Sequence, residues 1–171
     1  LTLGDANFGL AGGSENMSAS PHIIKSNRWG KRMGNTMVED MMLGALNCPF
    51  GTGHMGVTAE NVASEYNISR EVQDSFSLES QQRASSAIEK GYFKEQIVDI
   101  EIKKNTFNVD EHPKNTDLES LKSLKSVFME KGTVTAGNSS GLNDGAAALV
   151  LSTATAAGSN GLKVKAKILG Y

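Results

Sequence analysis

The sequence is poor in cysteine, in unbalanced charge and in long apolar runs, and each shortage excludes a class of protein. A single cysteine among 171 residues excludes an internal disulfide framework and is compatible with a reducing compartment. The formal net charge of −2 gives no reason to expect nucleic-acid binding. No apolar stretch approaches the roughly 20 residues that a membrane span requires, so we expect no membrane span.

Metal and thiol chemistry also have little support. The three histidines and Cys48 show no spacing typical of metal ligands, so we expect no metal site. Cys48 could be a nucleophile, but no His-Asn or His-Asp partner lies near it in a recognisable nucleophile motif. We therefore interpret Cys48 as a small buried residue.

What the sequence does contain is a glycine-rich segment, TVTAGNSSGLNDGAAALV, at residues 133–150. Gly137, Gly141 and Gly145 are spaced too regularly for a flexible linker. Glycine permits positive φ and the close approach of a backbone or a ligand, and asparagine and aspartate tolerate similar turns. The apolar residues at the end of the segment predict a buried strand or the start of a buried helix. The segment therefore has the character of a rigid polar loop that presents groups to a ligand.

Elsewhere the pattern is that of an α/β protein. Ser69 and Glu71 suit the N-cap and first turn of a helix with an apolar stripe, and Gly91 suits its C-terminal end. The other predicted elements are strands at 7–11 (ended by a turn at Gly12 and Gly13), 97–102, 146–151 and 162–169, and helices at 36–46, 58–66, 118–124 and 153–157. This order predicts an α/β layer interrupted by a mainly helical excursion.

Residues 51–56, GTGHMG, match the G-x-G-x-x-G pattern of dinucleotide-binding turns. Such a turn requires a preceding strand and, about 20 positions later, an acidic residue at a strand end. The preceding segment looks helical and ends in Pro49, and Asp74 lies inside a predicted helix. We therefore set a dinucleotide-dependent oxidoreductase largely aside.

Two polar residues in these glycine-rich loops have alternative interpretations. His54 is compatible with a satisfied structural histidine or with a donor to a ligand carbonyl or amide. Ser140 is compatible with an ordinary turn serine or with a hydroxyl that meets an amide-bearing ligand. The residues alone leave both alternatives open.

Four segments, in order, resemble the thiolase family of acetyl-CoA acetyltransferases and 3-ketoacyl-CoA thiolases. They are residues 4–22 (GDANFGLAGGSENMSASPH), 53–84 (GHMGVTAENVASEYNISREVQDSFSLESQQRA), 110–128 (DEHPKNTDLESLKSLKSVF) and 133–147 (TVTAGNSSGLNDGAA). The resemblance covers essentially the whole chain. It implies a thiolase-like layered α/β fold, as a fragment of the N-terminal half with a mainly helical loop-domain insertion.

The same resemblance implies a division of the chain. Residues 1–17 and 141–160 would belong to the N-terminal core, and residues 18–140 to the loop domain that binds coenzyme A (CoA). Residues 161–171 would form the linker and the first strand of the C-terminal domain.

The resemblance also implies a surface for CoA or acetyl-CoA, which is the substrate, with no separate cofactor. The residues that match ligand-contacting positions of the family are Leu46, His54, Met55, Lys114, Phe128, Ala136 and Ser140. By resemblance, His54 and Met55 line the acyl and pantetheine channel, and Ser140 meets the pantetheine arm. Lys114 falls near a basic residue that faces the nucleotide end, and lysine can still neutralise a phosphate there. The His-Met pair slightly favours the short-chain, acetoacetyl-CoA type.

Thiolases use two cysteines, with histidine and asparagine from C-terminal loops, and none of these motifs is present. We assign no catalytic residue, and we expect the nucleophile motif before Leu1 and the other motifs after Tyr171. The leading hypothesis is part of an acyl-CoA thiolase, which catalyses Claisen condensation or thiolysis of 3-ketoacyl-CoA. The alternative is a non-catalytic CoA-binding module or an inactive thiolase fragment.

Assembly and location follow from the resemblance too. Residues 25–32, KSNRWGKR, are a basic and aromatic stretch that matches a region many thiolases use for oligomer contacts. We expect a homodimer or homotetramer, with residues 22–34 as the candidate contact. The first residues lack the features of a signal peptide. We expect a cytoplasmic location, with mitochondrial and peroxisomal locations left open because a targeting segment would lie upstream.

Overall fold

A computed structural model describes residues 1–170. The strands are β1 (Phe8–Glu15), β2 (His22–Ile23), β3 (Glu39–Asp40), β4 (Asn47–Cys48), β5 (Gly53–His54), β6 (Ile100–Ile102), β7 (Asn105–Phe107) and β8 (Gly145–Ser152). The helices are α1 (Met41–Ala45), α2 (Met55–Glu65), α3 (Arg70–Glu89), α4 (Leu118–Ser123) and α5 (Ala154–Ser159), with a 3-10 turn at Lys25–Asn27. The chain divides into two compact units, one formed by Leu1–Ala19 and the segment from Asn143 onward, the other by Ser20–Leu142.

The first unit is built on an antiparallel ribbon of β1 and β8, in which Phe8 pairs with Ser152 and Glu15 with Gly145. The turn predicted at Gly12 and Gly13 is wrong, because β1 runs straight through both. A Cβ at Gly12 would lie 2.7 Å from the Ala147 carbonyl oxygen, so glycine here allows the neighbouring strand to approach closely. The predicted strand before the small-residue helix is confirmed as β8, but the burial predicted for it is wrong, because Leu149 and Val150 are 66% and 73% exposed.

The small-residue helix predicted at 153–157 forms as α5, which begins one residue later, at Ala154. Thr153 Oγ1 accepts a hydrogen bond from the Ala156 amide at 3.1 Å, which satisfies one free N–H of the first turn of α5. The side chains of Ala156 and Ala157 are buried beneath it. No strand forms at residues 162–169 within the described part of the chain, contrary to prediction, and no partner strand pairs with them there.

The second unit contains the longest helix, and the prediction for α3 is confirmed. Ser69 Oγ accepts a hydrogen bond from the Val72 amide, and Gly91, with φ of +69°, ends the helix. The apolar stripe, however, is only partly covered in this chain: Val72 and Phe76 are 58% and 73% exposed, whereas Ala84, Ala87 and Ile88 are half-buried. The buried residue of α3 is instead Asp74, which is 1% exposed. A polar network therefore holds α3 in place.

Two other predicted elements are shorter than expected. The helix predicted at 36–46 covers only Met41–Ala45, because the Asp40 side chain accepts from the Met42 amide at 2.9 Å and fixes the start of the helix. The strand predicted at 97–102 is the three-residue β6, which pairs with β7 across a turn where Lys103 has φ of +58°. Within residues 1–170, none of the helices is long and apolar enough to cross a lipid bilayer.

Candidate functional site

The centre of the candidate site is His54, at the junction of β5 and α2. His54 is the N-cap of α2, and its Nδ1 accepts a hydrogen bond from the Gly56 amide at 3.0 Å. A neutral imidazole that accepts at Nδ1 has its hydrogen on Nε2, so the opposite edge of the ring is a donor. The ring also stacks on Phe128, with centroids 4.7 Å apart and planes 21° apart. Capping and stacking together fix the orientation of His54.

Phe128 can stack on His54 because Gly56 has no side chain. A Cβ at Gly56 would overlap the Phe128 ring, so a close approach of helix and ring explains the glycine at this position. Leu46 and Met55 belong to the same cluster: the Met55 amide donates to the Leu46 carbonyl at 2.8 Å. The Met55 side chain is 59% exposed. The structure thus brings together four of the predicted ligand-contacting residues, and we call this group the His54 cluster.

The segment from Thr133 to Ser140, here the Ser140 loop, is tied to the residues just before Phe128. Ser126 forms an isolated antiparallel bridge with Thr135, and the Val127 amide donates to the Val134 carbonyl at 3.1 Å. This short ladder fixes the path of the backbone that leads to Phe128. It therefore links the loop directly to the His54 cluster.

Inside the loop, a buried threonine organises the backbone. Thr135 is fully buried, and its Oγ1 accepts from the amides of Gly137 at 3.2 Å and Asn138 at 3.3 Å. Ser139 Oγ donates to the Thr135 carbonyl at 2.7 Å. The remaining predicted residues of the loop, Ala136 and Ser140, are exposed. The loop thus has a rigid interior and an exposed edge, as the glycine-rich pattern predicted.

Sequence reasoning missed Glu60, a buried carboxylate of α2 that holds the Ser140 loop. Glu60 is 5% exposed and accepts hydrogen bonds from the Thr133 amide, the Thr133 hydroxyl and the Val134 amide at 2.8–2.9 Å. One signal could have indicated its burial. Glu60 follows the close-packed Gly56 by four residues and precedes the buried Ala63 by three, so all three lie on one helical face.

These hydrogen bonds control the charge of Glu60. Burial raises the pKa of the carboxyl, but the donors of Thr133 and Val134 outweigh that effect, and the pKa lies below its ordinary value. A lowered pKa in the folded state means that this contact stabilises the fold at pH values above the ordinary carboxyl pKa. The contribution is lost as the pH falls through the lowered pKa.

Asp74 is a second buried carboxylate that the sequence did not assign to the loop. It accepts from Arg70 Nε at 2.7 Å and from Asn138 Nδ2 at 3.0 Å. Arg70 Nη2 in turn donates to the carbonyls of Leu121 at 2.6 Å and Leu124 at 3.0 Å. Asp74 therefore joins α3, the end of α4 and the Ser140 loop, and both its oxygens are occupied by protein donors.

Lys114, the last predicted residue, lies in a separate groove of about 190 Å³ that does not include the His54 cluster. Its backbone amide donates to Gln81 Oε1 at 2.9 Å. Ser85 and Glu89 of α3 line the same groove, whose other lining residues are also of polar or charged types. Within residues 1–170, no group of three or more histidine, cysteine or acidic side chains is arranged to hold a metal ion.

The prediction for Cys48 needs a correction, and the glycine motif beside it is not a dinucleotide turn. Cys48 is half-buried rather than buried, and a hydrogen bond from the Thr52 side chain lowers the pKa of its thiol. Residues 51–56 cross the β4–β5 hairpin and enter α2. The strand of a parallel sheet that a dinucleotide turn requires does not precede them.

Known proteins are similar to this chain in sequence. Residues 1–155 match the family model described as "Thiolase, N-terminal domain". Beta-ketothiolase BktB of Cupriavidus necator is 50% identical over 100% of this chain and 45% of its own length. The mitochondrial 3-ketoacyl-CoA thiolase of Mus musculus is 43% identical over 98% of this chain and 44% of its own length.

Solved structures agree with the sequence matches. Human mitochondrial 3-ketoacyl-CoA thiolase in complex with CoA superimposes with a TM-score of 0.88 and 39% identity, over 94% of this chain and 41% of that one. Acetyl-CoA acetyltransferase from Syntrophomonas wolfei gives a TM-score of 0.86 and 41% identity over the same shares of the two chains. The predicted thiolase-like α/β fold is confirmed. The chain spans less than half the length of the curated relatives it matches, and it belongs to the thiolase family.

Proposed function

We propose that this chain is the CoA-binding part of an acyl-CoA thiolase, which catalyses Claisen condensation or thiolysis of 3-ketoacyl-CoA. The observation that supports the proposal most is the His54 cluster, in which an oriented imidazole, a stacked Phe128 and an exposed Met55 meet at one helix start. Apolar surface around a single oriented donor suits an acyl-pantetheine arm, which is largely apolar with spaced amides. The relative solved with CoA supports the same ligand.

Each predicted residue then has a role in binding. His54 Nε2 and the Ser140 hydroxyl hydrogen-bond to polar groups of the ligand, and the small Ala136 lets the loop backbone approach the pantetheine arm. Leu46, Met55 and Phe128 pack on the apolar parts of the ligand. Lys114 neutralises a phosphate at the nucleotide end, where an ammonium acts as a point charge. No catalytic residue is assigned within this chain.

Ser140→Ala should weaken CoA binding by about 1 kcal/mol, the usual net value of one hydrogen bond. The Ser140 hydroxyl is exposed and forms no hydrogen bond within the described residues, so its removal should leave the fold unchanged. Titration calorimetry with CoA on the complete gene product measures the effect. Ser159→Ala, at the end of α5, serves as the control. Equal CoA affinity for Ser140→Ala and the parent protein would remove Ser140 from the site.

The chain by itself should show no thiolysis of acetoacetyl-CoA. Its only thiol is Cys48, which lies in the β4–β5 hairpin with its pKa lowered by Thr52. The complete gene product, assayed in parallel, should be active if it is a thiolase and inactive if it is the alternative, a non-catalytic CoA-binding module. Turnover by residues 1–171 that disappears in Cys48→Ala would contradict the proposal.

The division of the chain, its assembly and its location are part of the same proposal. Residues 18–140 act as the loop domain, residues 1–17 and 141–160 as core, and residues 161–171 lead into a C-terminal domain; the compact unit Ser20–Leu142 supports this division.

A homodimer or homotetramer forms through residues 22–34, where Trp29 and Met33 are 92% and 85% exposed. Sedimentation of Trp29→Ser would test that contact. The proposed location is cytoplasmic, although one relative is named as mitochondrial.

A further inference from the structure

We propose that Glu60 is a positioning residue for the pantetheine arm, because it holds the Ser140 loop at a fixed place relative to His54. The inference rests on the proposed function, since it concerns how the CoA-binding surface is built. Glu60 itself is buried, so it offers almost no surface to a ligand. It acts through the backbone of Thr133 and Val134, at the start of the loop that ends in Ser140.

Both oxygens of Glu60 take part. The Thr133 amide donates to Oε1 and Oε2 at 2.9 Å each, the Thr133 hydroxyl donates to Oε2 at 2.9 Å, and the Val134 amide donates to Oε1 at 2.8 Å. Hydrogen bonds to an ionised acceptor are shorter and about twice as strong as neutral ones. Side-chain rotation of Glu60 would break several of them at once, so the carboxylate is a rigid anchor.

The loop has no room to shift around this anchor. A Cβ at Gly132 would overlap the Glu60 carboxylate, so the Gly132 backbone packs directly against that carboxylate. A Cβ at Gly137 would lie 2.5 Å from Leu124 Cδ1 and 2.6 Å from Leu121 Cδ2. Glycine at both positions allows the loop to approach α2 and α4 more closely than any other residue would.

The same helix carries His54 at its start. Glu60 lies six positions after His54, so the rigid backbone of α2 sets the distance between the ligand-facing imidazole and the anchor. The Ser126–Thr135 bridge also links the loop to the segment that leads to Phe128, and Phe128 stacks on the His54 ring. The loop is therefore connected to His54 by two routes, one through Glu60 and α2 and the other through Phe128. A ligand that meets both His54 and Ser140 therefore meets a spacing that Glu60 sets.

Only a carboxylate satisfies this arrangement. Every contact of Glu60 in the loop comes from a donor, namely two amides and a hydroxyl. Glutamine has the same shape but replaces one acceptor oxygen with an NH₂ group, which would face a donor. Glu60→Gln is therefore a test that changes hydrogen bonding at nearly constant volume.

The experiment compares two ligands on the complete gene product by titration calorimetry. The probes are CoA and 3′-phospho-ADP, which is the nucleotide half of CoA without the pantetheine arm. Glu60→Gln should raise the Kd for CoA about tenfold, equivalent to the loss of one strong hydrogen bond, and leave the Kd for 3′-phospho-ADP unchanged. Glu65→Gln, an exposed position on the same helix, is the matched control and should change neither value.

The outcomes separate this inference from the proposed function. A parent protein that binds no CoA contradicts the function itself. A folded Glu60→Gln that binds CoA as the parent does, or that loses affinity for both probes equally, overturns the positioning role while the function stands.

If circular dichroism shows that Glu60→Gln is unfolded, Thr133→Val replaces it. That variant keeps the backbone hydrogen bonds to Glu60 and removes both bonds of the hydroxyl, the one it donates to Glu60 and the one it accepts from Gln73 Nε2 at 2.9 Å. It should raise the Kd for CoA alone about threefold. Unchanged CoA affinity in Thr133→Val would equally overturn the positioning role.

Discussion

Asp74→Ala should lower the free energy of unfolding by about 3 kcal/mol, the range expected when one partner of a buried ion pair is removed. Asp74 is 1% exposed, and its loss leaves Arg70, whose side chain is 21% exposed, without a counter-ion. It also leaves Asn138 Nδ2 with one acceptor fewer. Urea unfolding followed by circular dichroism measures the change.

The same helix provides the control for Asp74→Ala. Glu79 and Arg83 also form an ion pair four residues apart, but both side chains are more than half exposed. Exposed pairs of this kind contribute about 0.5 kcal/mol or less, so Glu79→Ala should change stability little. Equal losses in the two variants would mean that the pair of Asp74 and Arg70 is no more important than an exposed one.

Gly56→Ala should lower the free energy of unfolding by about 2 kcal/mol, although alanine is the better helix former. The propensity gain is at most about 1 kcal/mol. Against it stand about 1–3 kcal/mol for an overpacked site and about 1 kcal/mol for the lost stacking of His54 and Phe128. Because the added Cβ overlaps the Phe128 ring, the ring must move, and the cost of overpacking and lost stacking exceeds the gain in helix propensity. Displacement of Phe128 should also raise the Kd for CoA about tenfold.

Gly44→Ala is the control for that result. Gly44 also lies in a helix, α1, but a Cβ there would meet no atom within 4 Å. Alanine at this position should leave stability unchanged or raise it by up to about 1 kcal/mol. If Gly56→Ala is as stable as the parent protein in the same urea titration, then the packing of Phe128 does not require glycine at position 56.

Local signals made several elements predictable from sequence. Ser69 caps α3, which begins where that residue predicts, and Gly91 ends α3 through its positive φ. Thr153 caps α5 in the same way. Such signals depend only on near neighbours along the chain. The start of α1 escaped prediction because Asp40 is a capping residue inside an apolar methionine pattern, and there the cap decides where the helix begins.

The candidate site was predictable only in part, and the reason lies in distance along the chain. His54, Phe128 and Ser140 were predicted as site residues from the thiolase resemblance, but their mutual arrangement depends on Glu60 and Asp74, whose partners in the Ser140 loop lie more than 60 positions away. An acidic residue within a helix looks like a solvated one until its partners are known. The exposed Val72 and Phe76 are the complementary case, since an apolar pattern does not tell what covers it.

The pairing of β1 with β8 imposes an order on events during translation. Because Phe8 pairs with Ser152, β1 leaves the ribosome long before its partner has been synthesised, whereas Ser20–Leu142 is one continuous stretch. Until then β1 presents unpaired N–H and C=O groups, the feature that lets nascent strands associate wrongly. Its three glycines and terminal Glu15 give it low β-propensity. Low β-propensity reduces the tendency of unpaired β1 to pair with a strand of another chain before β8 has been synthesised.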